Sequence, residues 1–217
     1  MKLTKRLQAC ADLVRPGSRL ADIGCDHGYV PVWLIQNGKI KHAIAADINS
    51  GPLASCRALV ENCRLGSSVT CVLSDGLQNI PLSEVDDILI AGMGGELIAD
   101  ILDAAGDLSD KHLILNPMTH PELARRWLYT NGFTVQSDCI IADGGHHYSI
   151  MDAVYTGVYE EVNDVRCFLG EISDFSDSEY FAHLLHYLKN KEKGGADYSA
   201  VIAAIEGKID DNCKESL

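Results

Sequence analysis

The residues best equipped for chemistry stand in one run, Ala21-Asp22-Ile23-Gly24-Cys25-Asp26-His27-Gly28-Tyr29, where an apolar stretch gives way to a turn. Two carboxylates, an imidazole and a phenol fall within that segment. Gly24 and Gly28 let the backbone pass close to a ligand. A turn built for a dinucleotide reads Gly-x-Gly-x-x-Gly, which brings a helix N-terminus onto pyrophosphate. Here Asp26 takes the place of the second glycine. A carboxylate at that point repels a phosphate and attracts a cation.

Three later segments extend the pattern. Asp47, 25 positions after Asp22, ends the next apolar run and is followed by Ile48 and Asn49. An acidic residue there can accept both hydroxyls of an adenosine ribose. Ser74-Asp75-Gly76 closes a third run; Asp75 offers an acceptor for an adenine amino group and Gly76 permits a close turn. Gly92-Met93-Gly94-Gly95 closes a fourth and reads as a loop of bare backbone, which a flat substrate needs for access. Asn116-Pro117 ends a fifth and supplies a further wall. A phosphate-free adenosine carrying positive charge fits these requirements, and S-adenosylmethionine, with its sulfonium and amino group, is such a ligand. A nicotinamide cofactor fits poorly, because Asp26 opposes its pyrophosphate. The expected cofactor set is Asp22, Gly24, Cys25, Gly28, Asp47, Ile48, Asn49, Ser74, Asp75, Gly76, Gly92 and Met93. Gly94, Asn116 and Pro117 are expected on the substrate side. Arg125-Arg126, beside Trp127, reads either as a phosphate contact or as an exposed helix face.

The elements needed to hold these residues alternate regularly. Apolar spacing predicts a helix over residues 3–14, ended by Pro16-Gly17, and helices over about 30–36, 52–64, 96–104 and 122–130. Short, near-continuously apolar strands are predicted at 19–23, 42–48, 69–73, 87–91 and 113–115, as in a parallel sheet covered on both faces. Two β-rich stretches, 134–142 and 148–156, have no helix between them and predict an antiparallel hairpin at one edge. The expected fold is therefore α/β: a Rossmann-like, mostly parallel sheet with an antiparallel last strand. Beyond residue 159 the character changes, with 6 Lys/Arg against 13 Asp/Glu over 160–217. Phe181, Leu184, Leu185 and Leu188 form one stripe, and Ile202, Ile205 and Ile209 another, with Gly194-Gly195 between them. The chain thus divides into a ligand-binding domain over 1–159 and a helical hairpin over 160–217.

At 217 residues, 47% hydrophobic and 23% charged, the composition is that of an ordinary globular chain. The amino terminus leads into an amphipathic pattern rather than a secretory core, and no apolar run is long enough to span a bilayer, so a cytoplasmic protein without membrane contact is expected. The eight cysteines, at 10, 25, 56, 63, 71, 139, 167 and 213, contain no Cys-x-x-Cys pair and read as reduced thiols. His146-His147 and the pair His183/His186 lack companion ligands at a fixed spacing, and no metal is expected. A net charge of −13 argues against nucleic acid, since phosphate binding rests on Lys and Arg, although a local basic patch is compatible with it.

The segments 21–31 (Ala-Asp-Ile-Gly-Cys-Asp-His-Gly-Tyr-Val-Pro), 46–52 (Ala-Asp-Ile-Asn-Ser-Gly-Pro), 74–77 (Ser-Asp-Gly-Leu) and 90–95 (Ile-Ala-Gly-Met-Gly-Gly) resemble, in order and spacing, the bacterial tRNA adenine-22 N1-methyltransferase family of TrmK type. The resemblance covers about residues 1–158, and the helical hairpin looks like that family's coiled-coil-like C-terminal domain. It implies methyl transfer from S-adenosylmethionine to N1 of adenine 22 in tRNA; separately, the oligomeric state is left open by the sequence, with a monomer favoured. It implies catalytic roles for Asp26, beside the developing positive charge, and for His27 and Tyr29, holding or stacking the base. The family commonly has Gln-Pro where this chain has Asn116-Pro117, and the last domain here is short and acidic. Two alternatives stand beside it: a methyltransferase for a small molecule or protein, and a non-catalytic cofactor-binding scaffold.

Overall fold

Strands β1 (Arg19–Ile23), β2 (His42–Asp47), β3 (Val69–Leu73), β4 (Asp87–Gly94), β5 (His112–Thr119), β6 (Phe133–Asp143) and β7 (His146–Tyr155) form one sheet in the order β3-β2-β1-β4-β5-β7-β6. The computed structural model describes residues 1–215, with side chains to residue 212. The first five strands pair in parallel; β7 runs antiparallel to both β5 and β6. The expected edge hairpin therefore exists, and its turn is Gly144-Gly145, both at positive φ.

Between the strands run α1 (Lys5–Leu13, preceding β1), α2 (Tyr29–Gln36), α3 (Ser50–Asn62), α4 (Gly95–Asp103) and α5 (Pro121–Thr130). Strand alternation sorts the core to two faces. Ala21, Ile23, Ile88 and Ile90 pack against Ile98 and Leu102 of α4 and Leu128 of α5. Leu20, Leu89 and Ile114 pack against Cys10 and Ala11 of α1 and Leu34 of α2. The chain winds from β1 out to β3, then returns to β4 on the other side of β1. The order reverses between β1 and β4, and ligands in such sheets bind outside the strand ends at that crevice.

Two strands run further than their apolar cores suggest. β4 extends through Gly92-Met93-Gly94, the segment read above as a loop, and β5 runs on through Asn116-Pro117 to Thr119. Met93 pairs with Pro117 and Gly94 with Thr119 across register shifts. Each overlong strand gives the other a partner, and the shifts absorb the irregular Gly and Pro residues.

The C-terminal segment contains three helices rather than two: α6 (Asp164–Leu169), α7 (Ser178–Lys193) and α8 (Ser199–Glu215). Six residues are too few for α6 to show a helical period. Phe181 and Leu188 of α7 and Ile202 and Ile205 of α8 are buried together with Phe168 and Phe175, and Ile140 of β6 packs against them.

Arg125 corrects an expectation. Its side chain is fully buried, so it presents no surface to a substrate. Its Nε and Nη2 donate to the two oxygens of the equally buried Asp138, at 2.7 and 3.0 Å. Nη1 donates to the carbonyls of Cys167 and Phe168, and Nη2 also reaches Ser149 Oγ. The pair thereby ties α5 to β6, β7 and the end of α6. Arg126, more exposed, donates to Asp164 Oδ1 at 2.7 Å and pins the start of α6. Replacing Arg125 by Met strands the Asp138 carboxylate without its counter-charge. Urea unfolding should show a loss of about 3–5 kcal/mol; a change below about 1 kcal/mol would contradict this account of the pair.

Candidate active site

The turn after β1 is held from the side by β2. The backbone N–H groups of Gly24 and Cys25 both donate to Ala46 O, at 2.8 and 2.9 Å. The next N–H, of Asp26, donates to Asp47 Oδ2 at 3.2 Å, and Asn49 N–H donates to Asp47 Oδ1 at 2.8 Å. The buried Asp47 carboxylate thus organises two loops and keeps lone pairs for a further donor. Asp26 is held at φ +50, in the left-handed region that a non-glycine residue enters only under constraint. Its side chain is 68% exposed and that of His27 47%, with His27 Nε2 3.6 Å from Asp26 Oδ1. The His27 and Tyr29 rings stack, with centroids 5.3 Å apart and an angle of 23° between planes. The three expected catalytic residues therefore share one exposed surface.

Asp22, at the end of β1, is buried, and its carboxylate has no hydrogen-bond or ion-pair partner among the described residues. Burial, together with Cys56 and Asp47 nearby, pushes its pKa up to about 7. It lines a cavity of about 360 Å³ with Gly24, Cys25, Asp26, Tyr29, Gly92 and Met118. Arg6 of α1 lines the same cavity. Sequence reasoning missed Arg6, because its place depends on how α1 crosses the sheet and no local motif marks it. Its backbone N–H donates to Asp143 Oδ2, its Nη1 to Asn116 Oδ1 at 2.6 Å, and its guanidinium lies 5.4 Å from the Tyr148 ring centroid. Asn116, expected on the substrate side, is fully buried. Its Oδ1 is taken by Arg6, and its Nδ2 donates to Ser149 O at 2.9 Å. It acts by positioning Arg6 rather than by touching a substrate.

The other expected residues sort by exposure. Ile48 and Asp75 are exposed at the ends of β2 and β3. Ser74 is buried; its hydroxyl donates to Gly76 O and accepts from Asn79 N–H, so it shapes the turn. Gly92 is at φ +85, and a Cβ there would meet Arg6 Nη1 at 4.0 Å. Gly94 and Pro117 lie in the β4–β5 ladder, paired with Thr119 and Met93 respectively, and Met93 packs under Gly24, whose added Cβ would fall 2.2 Å from Met93 Cε. The described cysteines are free thiols; Cys56 and Cys71 lie 3.6 Å apart beneath the turn. Among the described residues, no three His, Cys, Asp or Glu side chains converge as metal ligands.

Gly28 caps α2 at φ +71, and a Cβ there would lie 2.3 Å from Cys56 Sγ. Gly28→Ala therefore combines backbone strain with a steric clash beneath the turn. The expected loss is about 1–3 kcal/mol of stability in chemical denaturation; wild-type stability would show that α3 yields freely.

Residues 3–151 match the methyltransferase-domain family. The chain is 39% identical over 167 residues to a tRNA (adenine(22)-N(1))-methyltransferase of Bacillus subtilis (strain 168), covering 73% of this chain and 70% of that protein. The crystal structure of the B. subtilis M1A22 tRNA methyltransferase TrmK superposes with a TM-score of 0.81 at 30% identity, over 99% of this chain and 95% of that one. A Streptococcus pneumoniae protein solved in complex with S-adenosyl-L-methionine superposes with a TM-score of 0.83 at 29% identity, over 96% of this chain and 100% of that one. With an acidic turn at the switch point and homology along most of its length, the chain belongs to the methyltransferase family that includes the B. subtilis tRNA (adenine(22)-N(1))-methyltransferase.

Proposed function

We propose that this chain transfers the methyl group of S-adenosylmethionine to N1 of adenine 22 in tRNA. One observation carries the reading: the buried, unpartnered Asp22 carboxylate lines a cavity that the Arg6 cation lines as well. Such opposed charges suit a ligand that bears an ammonium, a sulfonium and a carboxylate. In this reading Asp47 would accept the ribose hydroxyls, and Ile48 and Asp75 would border the adenine. The cofactor, when bound, supplies an electrophilic methyl group.

In neutral adenine, N1 already carries a free lone pair, so no strong base is needed and positioning dominates. The methylated base is cationic, and the Asp26 carboxylate is placed to stabilise that charge as it develops. The stacked His27–Tyr29 surface offers a flat support for a base drawn out of its stack. The division into a catalytic domain over 1–159 and a helical domain over 160–217, a cytoplasmic location and a monomeric working unit belong to the same reading. No helix among the described residues is long and apolar enough to cross a membrane.

Labelled methyl transfer to tRNA transcripts tests the reaction. Incorporation is expected with adenine at position 22 and none with guanine there; equal labelling of both would defeat the site assignment. Asp26→Ala should cut kcat by at least tenfold while leaving cofactor affinity near wild type.

The Asp22 value near 7 adds a pH dependence. Below that pH the group is increasingly protonated and neutral, and a cationic ligand must displace the proton before it can pair. Calorimetric affinity for S-adenosylmethionine should therefore weaken as pH falls below 7, approaching about tenfold per unit. The Asp22→Asn variant should lose most of that slope.

A further inference from the structure

His146 and His147, together with His183 of the second histidine pair singled out in the sequence, border one cleft that methyl transfer itself does not use. A cavity of about 630 Å³ opens between the end of β5, the β6–β7 hairpin and α7. Met118 lines both this cleft and the cofactor cavity. Tyr148 connects them further, because its ring meets the Arg6 guanidinium that lines the cofactor cavity. Rings form the walls: His146, His147, Tyr148, Tyr180, His183 and Tyr187. His146 stands against Tyr148 and His147 against Tyr180, with centroids 6.4 and 6.3 Å apart.

The rim carboxylates are met by imidazoles. Glu122 Oε1 lies 2.9 Å from His120 Nδ1, and Asp177 Oδ2 and Glu179 Oε2 lie 3.2 and 4.0 Å from His147 Nε2. Beside the lining residue Tyr187, Lys191 Nζ sits 5.5 Å from the ring centroid. His120, on the lip, is held at φ +53. Two of the three non-glycine residues with positive φ, Asp26 and His120, thus border this pair of cavities, and such strain concentrates where function over-determines the backbone.

We propose that this cleft receives the unstacked base of a nucleotide directly adjoining the target adenine, with Lys191, next to Tyr187, meeting its phosphate. The proposal rests on the tRNA reading above and extends it to a second nucleotide. Drawing one base from its stack leaves its neighbour without a partner. Aromatic walls accept a nucleobase through its π face, with little demand on sequence. A strongly acidic chain gains little from a grip dominated by phosphate contacts, so stacking must supply more of the affinity.

The experiment combines Tyr187→Ala and His183→Ala with transcripts made abasic at position 21 or at position 23. On intact tRNA each variant should raise KM, for Tyr187→Ala by about 5- to 150-fold, the range for one stacked base. Saturating kcat and calorimetric cofactor affinity should stay at wild-type values, and Tyr187→Phe should restore KM. With wild-type protein, one of the two abasic transcripts should raise KM to a similar degree. Tyr187→Ala should show no further loss on that same transcript. An unchanged KM in both variants overturns the proposal, as does a loss that simply multiplies with the abasic effect at both positions. Wild-type protein that labels tRNA while the variants behave normally refutes the cleft alone. Wild-type protein that labels no tRNA refutes the functional reading beneath it.

Discussion

Three consecutive backbone N–H groups after β1, those of Gly24, Cys25 and Asp26, are spoken for by two acceptors on the end of β2: the Ala46 carbonyl and the Asp47 carboxylate. Such groups must find partners wherever water is excluded. Here their satisfaction fixes the path of the turn and leaves Asp26 in the left-handed region. The constraint also explains the glycines on either side. Gly24 must leave room for Met93, and Gly28 must start α2 from a positive φ while lying on Cys56. The loop is therefore a rigid object before any ligand arrives. Asp22, held behind it, cannot move away to find a partner of its own.

The Arg6 part of the cavity lining is assembled by a different chain of contacts. Asp143 holds the start of α1 and so sets the height of Arg6. Asn116 takes one face of Arg6 and passes the constraint to the Ser149 carbonyl on β7. The Ser149 hydroxyl in turn meets Arg125, whose pairing with Asp138 reaches α6. A continuous polar path thus runs from the cavity lined by Asp22 and Arg6 to the base of the C-terminal helices. Its members are buried or half-buried, where breaking one hydrogen bond leaves its partner unsatisfied. The three C-terminal helices are consequently docked onto the catalytic sheet through specific polar contacts as well as through Ile140 and its apolar neighbours.

The sheet and the acidic turn were legible in the sequence because both rest on local spacing. Short apolar runs, closed by Gly24, Asp47, Ser74-Asp75, Gly92 and Asn116-Pro117, located β1 to β5. What was not legible depends on partners distant in sequence. β4 looked finished at Ala91 because Gly-Met-Gly-Gly is a loop composition; only the pairing of Met93 with Pro117 keeps it extended. Arg125-Arg126 read as a pair of surface cations, yet the turn of α5 directs the first into the core and the second toward Asp164. Asn116 lay in the expected neighbourhood of the site, but its role follows from Arg6, 110 positions away. The sequence pattern marks strand ends well and side-chain partners poorly, because a partner is specified by how the elements cross.

The acidity of the chain then becomes a constraint on how it can hold its proposed substrate. Of its 18 Lys and Arg residues, Arg15, Arg19, Lys111, Arg125, Arg126, Arg166 and Lys189 are already held by carboxylates, and Arg6 by Asn116. Phosphate affinity grows with the number of counterions released, and each release needs an available cation. An enzyme so composed cannot rely on a broad electrostatic footprint. Its proposed tRNA substrate would be held through a few placed contacts, with shape and stacking carrying what charge does not. The ring-lined surface around the strand ends meets that requirement: His27 and Tyr29 on one side, and the histidine and tyrosine walls of the neighbouring cleft on the other. Recognition and catalysis would then share one edge of the sheet. The same backbone constraints that rigidify the cofactor turn would set the position of the base.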